Sequence, residues 1–358
     1  MHTCAGGRYC LTAIAFGAGV RQDTHFFTKI GRNWSHKRSG MEGKMSRSKT
    51  PKPGKVPFFK TVRKHWMLLL MLLPAVIYVL VFSYAPMTGL VLAFKKYNYN
   101  GGIYFSPWNG LDNFNALMIS GKLGMVTRNT ILYNLIFIAM GVVLEMGSAI
   151  LLNEIHKKYF KKISQSFMFL PYFISWVVVG AIVYNVFNYE RGVANSIITS
   201  MGGERFDLYN TPAAWPFLLV FLKMWKGTGY GSVVYLAAIT SMDQEMFEAA
   251  SLDGANAWQK IRYLTIPSLV PTMMTLVLLG IGNIFRGDFG LFYQTVKSSA
   301  LLEPVTDVID TYVFRLLISN GNIGVSAAAG FYQSILCFIT IMIANGLVKK
   351  ANPDYALY

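Results

Sequence analysis

Charge inside an apolar stretch is the first chemistry this sequence offers. Lys223 and Lys226 are the only charged residues in 212–242, beside the run Gly227-Thr228-Gly229-Tyr230-Gly231. A charge held among apolar residues faces a cavity or a partner. The glycines hint at a discontinuous helix. Glu145 stands alone in the same way within 130–152; its plainer reading is a paired structural charge between two membrane chains. The second candidate is the segment Asp243–Val270, DQEMFEAASLDGANAWQKIRYLTIPSLV. Asp243 is a plausible N-cap, and Met246, Phe247, Ala250 and Leu252 supply apolar positions at helical spacing. Gly254 sits where a helix end wants a left-handed residue. Asn256 with Gln259 makes a capping box for a second helix, striped by Trp258, Ile261 and Leu264. Two short amphipathic helices joined by a turn form a docking element. Bond-making chemistry is not indicated. No Gly-x-x-x-x-Gly-Lys-Ser/Thr phosphate loop occurs, and Cys4, Cys10 and Cys337 have no metal-binding spacing. The expectation is therefore no catalytic residue and no metal.

Those residues must be positioned by elements that cross a membrane. The chain has 358 residues, 53% hydrophobic and 14% charged, against about 25% charged in soluble domains. Six stretches are long and apolar enough to span: 66–85, 130–152, 163–187, 212–242, 266–285 and 324–348. The fold class is all-α, polytopic, with six transmembrane helices. The net charge is +16, but 14 Lys and Arg against 2 Asp and Glu lie in residues 1–65. A basic tail beside apolar segments faces anionic membrane lipid rather than nucleic acid. Seven of the 20 residues at 46–65 are Lys or Arg, which places the N-terminus in the cytoplasm. Inside segments at 153–162, 243–265 and 349–358 follow, and both termini lie inside.

Residues 1–60 read as a basic, disordered cytoplasmic tail, and 61–358 as the transmembrane domain. Within the tail, 1–40 is irregular. The apolar run 11–20 after Arg8 is faintly like a signal peptide, but it is only ten residues long and its flanks carry no convincing cleavage site. Met41 or Met45 is the expected start of translation, and a genuine disordered tail is the alternative.

The inside loop at 243–265 carries a resemblance. Glu248-Ala249-Ala250, three residues, Gly254, nine residues, then Leu264-x-Ile266-Pro267 is similar to the cytoplasmic EAA loop of binding-protein-dependent ABC importer permeases. The family's Ile-x-Leu-Pro appears here with its two apolar residues exchanged. Tyr84-Ala-Pro-Met-x-Gly-Leu-x-x-Ala-Phe-Lys-x-Tyr97, Gly287-Asp-Phe-Gly-Leu-Phe-Tyr-Gln294, Asp310-Thr-Tyr-Val-Phe-Arg315 and Pro353-Asp-Tyr-Ala-Leu-Tyr358 narrow it. Together they resemble the polysaccharide and oligosaccharide permeases of Gram-positive bacteria, the LplB-type permeases, and more distantly the maltose permease MalF. The likeness covers about residues 60–358.

The resemblance implies a type I importer permease fold in the plasma membrane of a Gram-positive bacterium. It implies partners: a second homologous permease, two ATPase subunits and an extracellular solute-binding lipoprotein. ATP and Mg would be bound by the partner ATPase and no cofactor by this chain. Glu248, Ala249, Ala250, Asp253, Gly254 and Pro267 would form the ATPase-coupling site. Carbohydrate would pass along aromatic faces and polar groups, with Tyr172, Trp176, Tyr184, Lys223, Trp225, Lys226, Tyr230, Asp288, Phe289 and Tyr293 as candidates. For each aromatic, packing or an interfacial belt is the plainer reading. A transporter or channel working without ATP, and an ABC importer of a non-sugar solute, are the alternatives.

Overall fold

A computed structural model describes residues 64, 66–297 and 299–351. The tail boundary at 60 and the expected start at Met41 or Met45 lie outside them. The chain divides into two compact units, residues 1–76 and 77–358. Of the first unit, the described part is an apolar helical segment whose residues are all exposed.

Helices build the second unit; among the described residues extended pairing is limited to one bridge, Lys95 with Trp108. Helix α1, Trp66–Val79, begins in the first unit and leads through a π turn, Leu80–Tyr84, into further helical turns ending at Phe94. Then come α2 Asp112–Ile119, α3 Lys122–Glu154, α4 Lys158–Phe169, α5 Trp176–Phe187 and α6 Val193–Ser200. They are followed by α7 Trp215–Thr240, α8 Gln244–Leu252, α9 Ala257–Lys260 and α10 Ile266–Gly282. The last are α11 Phe289–Val296, α12 Ile309–Ile318 and α13 Ile323–Ala351.

Among the described residues, four segments are long and apolar enough to cross a membrane: Trp66–Phe94, Lys122–Glu154, Ala257–Gly282 and Ile323–Lys350. A fifth is a pair, Lys158–Phe173 with Trp176–Phe187, bent by 92°. The sixth is α7. Its 26 residues reach about 39 Å, enough for a core of roughly 30 Å, but Lys223, Lys226 and the glycines leave it less apolar.

Two sequence expectations change here. The helix break does not fall at 227–231; α7 runs unbroken through it. Its glycines serve close packing instead. A Cβ on Gly229 would collide with the Met168 carbonyl, and one on Gly231 with the Glu145 carboxyl. The break lies in the neighbouring span, expected as one helix over 163–187. There Leu170–Phe173 tightens into a 3₁₀ turn containing Pro171, Ile174 turns extended (ψ 128°), and Ser175 caps α5 by accepting from Val178 N–H. Pro171 suits the first turn of such a helix but not a continuous ladder.

Pro267 opens the last part of its span, standing in the first turn of α10, and the helix is continuous with the docking loop. A π turn, Ile261–Thr265, joins α9 to α10. Pro86 likewise follows a π turn directly. A proline lacks the N–H for the preceding turn and crowds its carbonyl, and a wider turn relieves both.

Three apolar clusters hold the unit. Tyr133, Phe137, Trp215, Leu219, Leu291 and Phe292 join α3, α7 and α11. Leu117, Val126, Ile309, Tyr312 and Val325 join α2, α3, α12 and α13. Ala149, Ile150, Tyr235, Ile239 and Leu269 join α3, α7 and α10 beneath the docking loop. Trp215 is wholly buried and donates its indole N–H to the Leu208 carbonyl at 3.0 Å.

Candidate functional site

The docking loop is a locally complete structure. Asp243 accepts from the Glu245 N–H at 3.0 Å and starts α8. Gly254 ends it with φ +81°, where a side chain costs about 1–2 kcal/mol. The Ala255 N–H reaches back to the Ala250 carbonyl at 2.9 Å and the Gly254 N–H to Ser251 at 3.1 Å, a double closure of the helix end. Asn256 and Gln259 exchange side-chain and backbone bonds at 2.8 and 2.9 Å. Lys260 Nζ donates to Ser251 Oγ at 3.1 Å and ties α9 to α8.

What the loop presents outward is equally defined. Glu248, Ala249, Asp253, Gly254 and Pro267 are exposed, and Ala250 is half-buried. Neither Glu248 nor Asp253 has a side-chain hydrogen bond or ion pair among the described residues. Leu252 is 89% exposed, Trp258 66% and Tyr263 68%. Large apolar side chains around an unpaired carboxylate, on helices capped at both ends, make a rigid surface with unmet partners.

Lys223 and Lys226 belong to a different, internal cluster. Lys223 Nζ pairs with Asp288 Oδ2 at 2.8 Å and lies 5.7 Å from the Phe137 ring centre. Asp288 uses its other oxygen to cap α11, accepting from the Leu291 N–H at 3.2 Å. Phe289 stacks on Tyr293 at 4.9 Å. Lys226 reaches the broken span: Tyr172 and Trp176 each hold a ring 5.4 Å from its Nζ. Tyr172 stacks on Tyr230 at 4.6 Å and 10°. Two candidates lie apart from this cluster. Trp225 lines a cleft of about 340 Å³ with Phe167, Phe221 and Leu144. Tyr184 packs on Tyr209 under the Lys297 ammonium, 3.6 Å from its ring centre. Glu145 faces a cavity of about 290 Å³ lined also by Phe137, Tyr230 and Tyr235, and has no ion pair among the described residues.

Several further residues escaped the sequence reading. Lys297 takes φ 58° without being glycine. Glu303 pairs with Lys122 at 2.8 Å and Arg315 at 3.3 Å, and Arg315 also pairs with Asp307. Asp310 accepts from the Gly287 N–H and from Gln333 Nε2 at 2.9 Å. Burial raises both the Asp307 and Asp310 carboxyls above 3.8, against the pull of their hydrogen-bond donors and of Arg315 and Arg286 respectively. The motif Asp310–Arg315 was visible in sequence; its partners, far along the chain, were not.

Apolar helices of membrane-spanning length and an exposed docking helix pair are the parts of a membrane component that works with a partner. Its family is settled by comparison. The chain belongs to the binding-protein-dependent transport system inner membrane components, whose family pattern matches residues 141–352. Protein LplB of Bacillus subtilis (strain 168) is 33% identical over 292 residues, covering 82% of this chain and 91% of that one. The polygalacturonan/rhamnogalacturonan transport system permease protein YteP of the same organism is 31% identical over 287 residues, covering 80% and 89%. Among solved structures, a chain of a bacterial ABC transporter involved in import of the acidic polysaccharide alginate superposes with TM-score 0.74. It is 30% identical and covers 82% of this chain and 99% of that one. A second structure shows the alginate transporter with a periplasmic protein bound to alginate pentasaccharide, at TM-score 0.73 and 30% identity.

Proposed function

We propose that this chain is the permease subunit of an ATP-driven importer of oligosaccharides or polysaccharide fragments. The observation that carries the proposal is the capped helix pair α8–α9 with Glu248 exposed and unpaired among the described residues. ATP and Mg bind on two partner ATPase subunits, and this chain hydrolyses nothing. A second homologous permease completes the pore, and an extracellular solute-binding lipoprotein delivers the solute. The relatives' descriptions, polygalacturonan/rhamnogalacturonan and alginate, support carbohydrate over other solutes. The protein lies in the plasma membrane of a Gram-positive bacterium with both termini in the cytoplasm.

In this reading Glu248 makes polar contacts with an ATPase groove, and Ala249 and Ala250 let the helix approach closely. Asp253 offers a second carboxylate to the partner, and Gly254 and Pro267 hold the loop's shape. ATP binding draws the ATPases together and moves α8, and the spans exchange inward- and outward-facing states. Solute passes the stacked faces of Tyr172, Tyr230, Phe289 and Tyr293, with Trp176 beside them, the Lys223–Asp288 pair as a polar station, and Tyr184 and Trp225 as separate contacts along the path.

The test is recovery of the assembly through a C-terminal tag in mild detergent, with bound subunits identified by mass spectrometry. Wild type should bring down a second permease and an ATPase, and Glu248→Lys should lose the ATPase alone. A chain recovered by itself, or an ATPase indifferent to the substitution, defeats the proposal.

A further inference from the structure

The ammonium of Lys226 has three protons and meets three carbonyls. Nζ lies 2.6 Å from the oxygens of Tyr172 and Ile174 and 3.4 Å from that of Pro171. All three carbonyls belong to the break that bends the third span by 92°. The end of a helix leaves carbonyls without intrahelical donors. Within a membrane, irregular backbone persists only where such groups are satisfied. A cation at the C-terminal end of a helix also meets the negative end of its dipole. Tyr172 and Trp176 flank the ammonium and hold it in place by their ring faces. The Pro171 carbonyl already accepts from the Ile174 N–H at 3.2 Å, so Lys226 supplies from α7 the donor that the Tyr172 and Ile174 carbonyls lack.

A second contact lies one turn further along the same helix. Gly229 is close against the Met168 carbonyl, on the other side of the break. Lys226 and Gly229 together fasten the α4–α5 break to α7. The far end of α7, Thr240, is joined to α8 by residues 241–243, held by the Met242 N–H to Ile239 carbonyl bond at 3.2 Å. One rigid helix thus connects the docking loop to the break.

We propose that Lys226 is a positioning residue that pins the broken third span to α7, so that displacement of α8 moves the break with it. The pin itself stands on geometry; its input rests on the docking reading given above. It also removes Lys226 from the solute path, because its donors are already committed to backbone.

Two measurements test this on the full chain. The first uses the assembled complex in proteoliposomes, comparing solute imported per ATP hydrolysed. Lys226→Met should retain the ATPase and its hydrolysis while lowering that ratio about tenfold, within the range of residues that carry coupling. Lys226→Arg, which keeps charge and donors, should recover part of it. An unchanged ratio in Lys226→Met with the ATPase bound overturns the proposal. Where Lys226→Met fails to assemble, Gly229→Ala takes its place, since the added methyl pushes against the Met168 carbonyl. A wild-type ratio in that variant overturns the proposal equally. The second measurement needs no ATPase. Spin labels at Tyr189→Cys and Ser241→Cys, with Cys4, Cys10 and Cys337 replaced, report the distance between the third span and the cytoplasmic end of α7. Lys226→Met should broaden that distribution in lipid, and an unchanged narrow distribution sinks the pin even where docking has failed. Loss of the ATPase from wild type would instead count against the docking reading alone.

Discussion

Single residues divide into those whose partners are near in sequence and those whose partners are far. Gly254, Asn256 and Gln259 are of the first kind. Each meets a group within five positions, so spacing alone announced their roles. Gly254→Ala should cost about 1–2 kcal/mol at the end of α8 because φ +81° strains any side chain. ATP-driven uptake should fall accordingly, and Gly254→Asn, more tolerant of that conformation, should fall less; equal uptake in all three would show that the turn is unimportant. Asp310 is of the second kind, since Gly287 and Gln333 each lie 23 positions away. Burial raises its carboxyl above 3.8, so the folded chain holds the proton more tightly than the unfolded chain. Stability should then fall as pH climbs from 3.8 toward the raised value. Asp307 contributes with the same sign. Thermal unfolding in detergent at pH about 4 and about 7 should show a smaller fall for Asp310→Asn than for wild type; an equal or larger fall would contradict the burial argument.

At the scale of elements, hydropathy located four spans and the bent pair, but not the course of that pair. The stretch 163–187 carries no charge, and nothing in its periodicity separates one straight helix from two at 92°. The bend needs a donor for its carbonyls, and that donor, Lys226, sits 52 residues beyond Ile174. The glycines of α7 misled for the same reason. Glycine marks a break or a close approach equally well, and only the neighbour, here Met168 and Glu145, decides between them. The loop helices were legible because caps are local. Their rigidity is testable: Asn256→Ala with Gln259→Ala removes both capping bonds and should cost about 1 kcal/mol. Hydrogen exchange of the amides at the start of α9 should accelerate while those of α8 stay protected. Faster exchange in both helices would mean that the pair folds as one unit.

For the whole molecule, orientation decides whether the docking pair can meet an ATPase at all. The basic residues argue for it: four lysines at 157, 158, 161 and 162 follow α3, and Lys349 and Lys350 close α13, as expected of cytoplasmic ends. The loop α8–α9 then lies on the cytoplasmic side and α6 on the outside. Ser200, at the end of α6, and Ser251, in α8, are both exposed, so each can report its side. In a chain lacking Cys4, Cys10 and Cys337, a cysteine at position 200 should react with an impermeant maleimide on intact cells. A cysteine at 251 should react only after lysis, and less completely when the complex is assembled, because the ATPase would cover it. The reverse labelling pattern would invert the topology and place Glu248 where no ATP is available. Labelling at 251 that ignores assembly would leave the topology standing and remove the groove from α8. The two residues thus separate the membrane argument, which rests on charge bias along the chain, from the docking argument, which rests on one exposed helix.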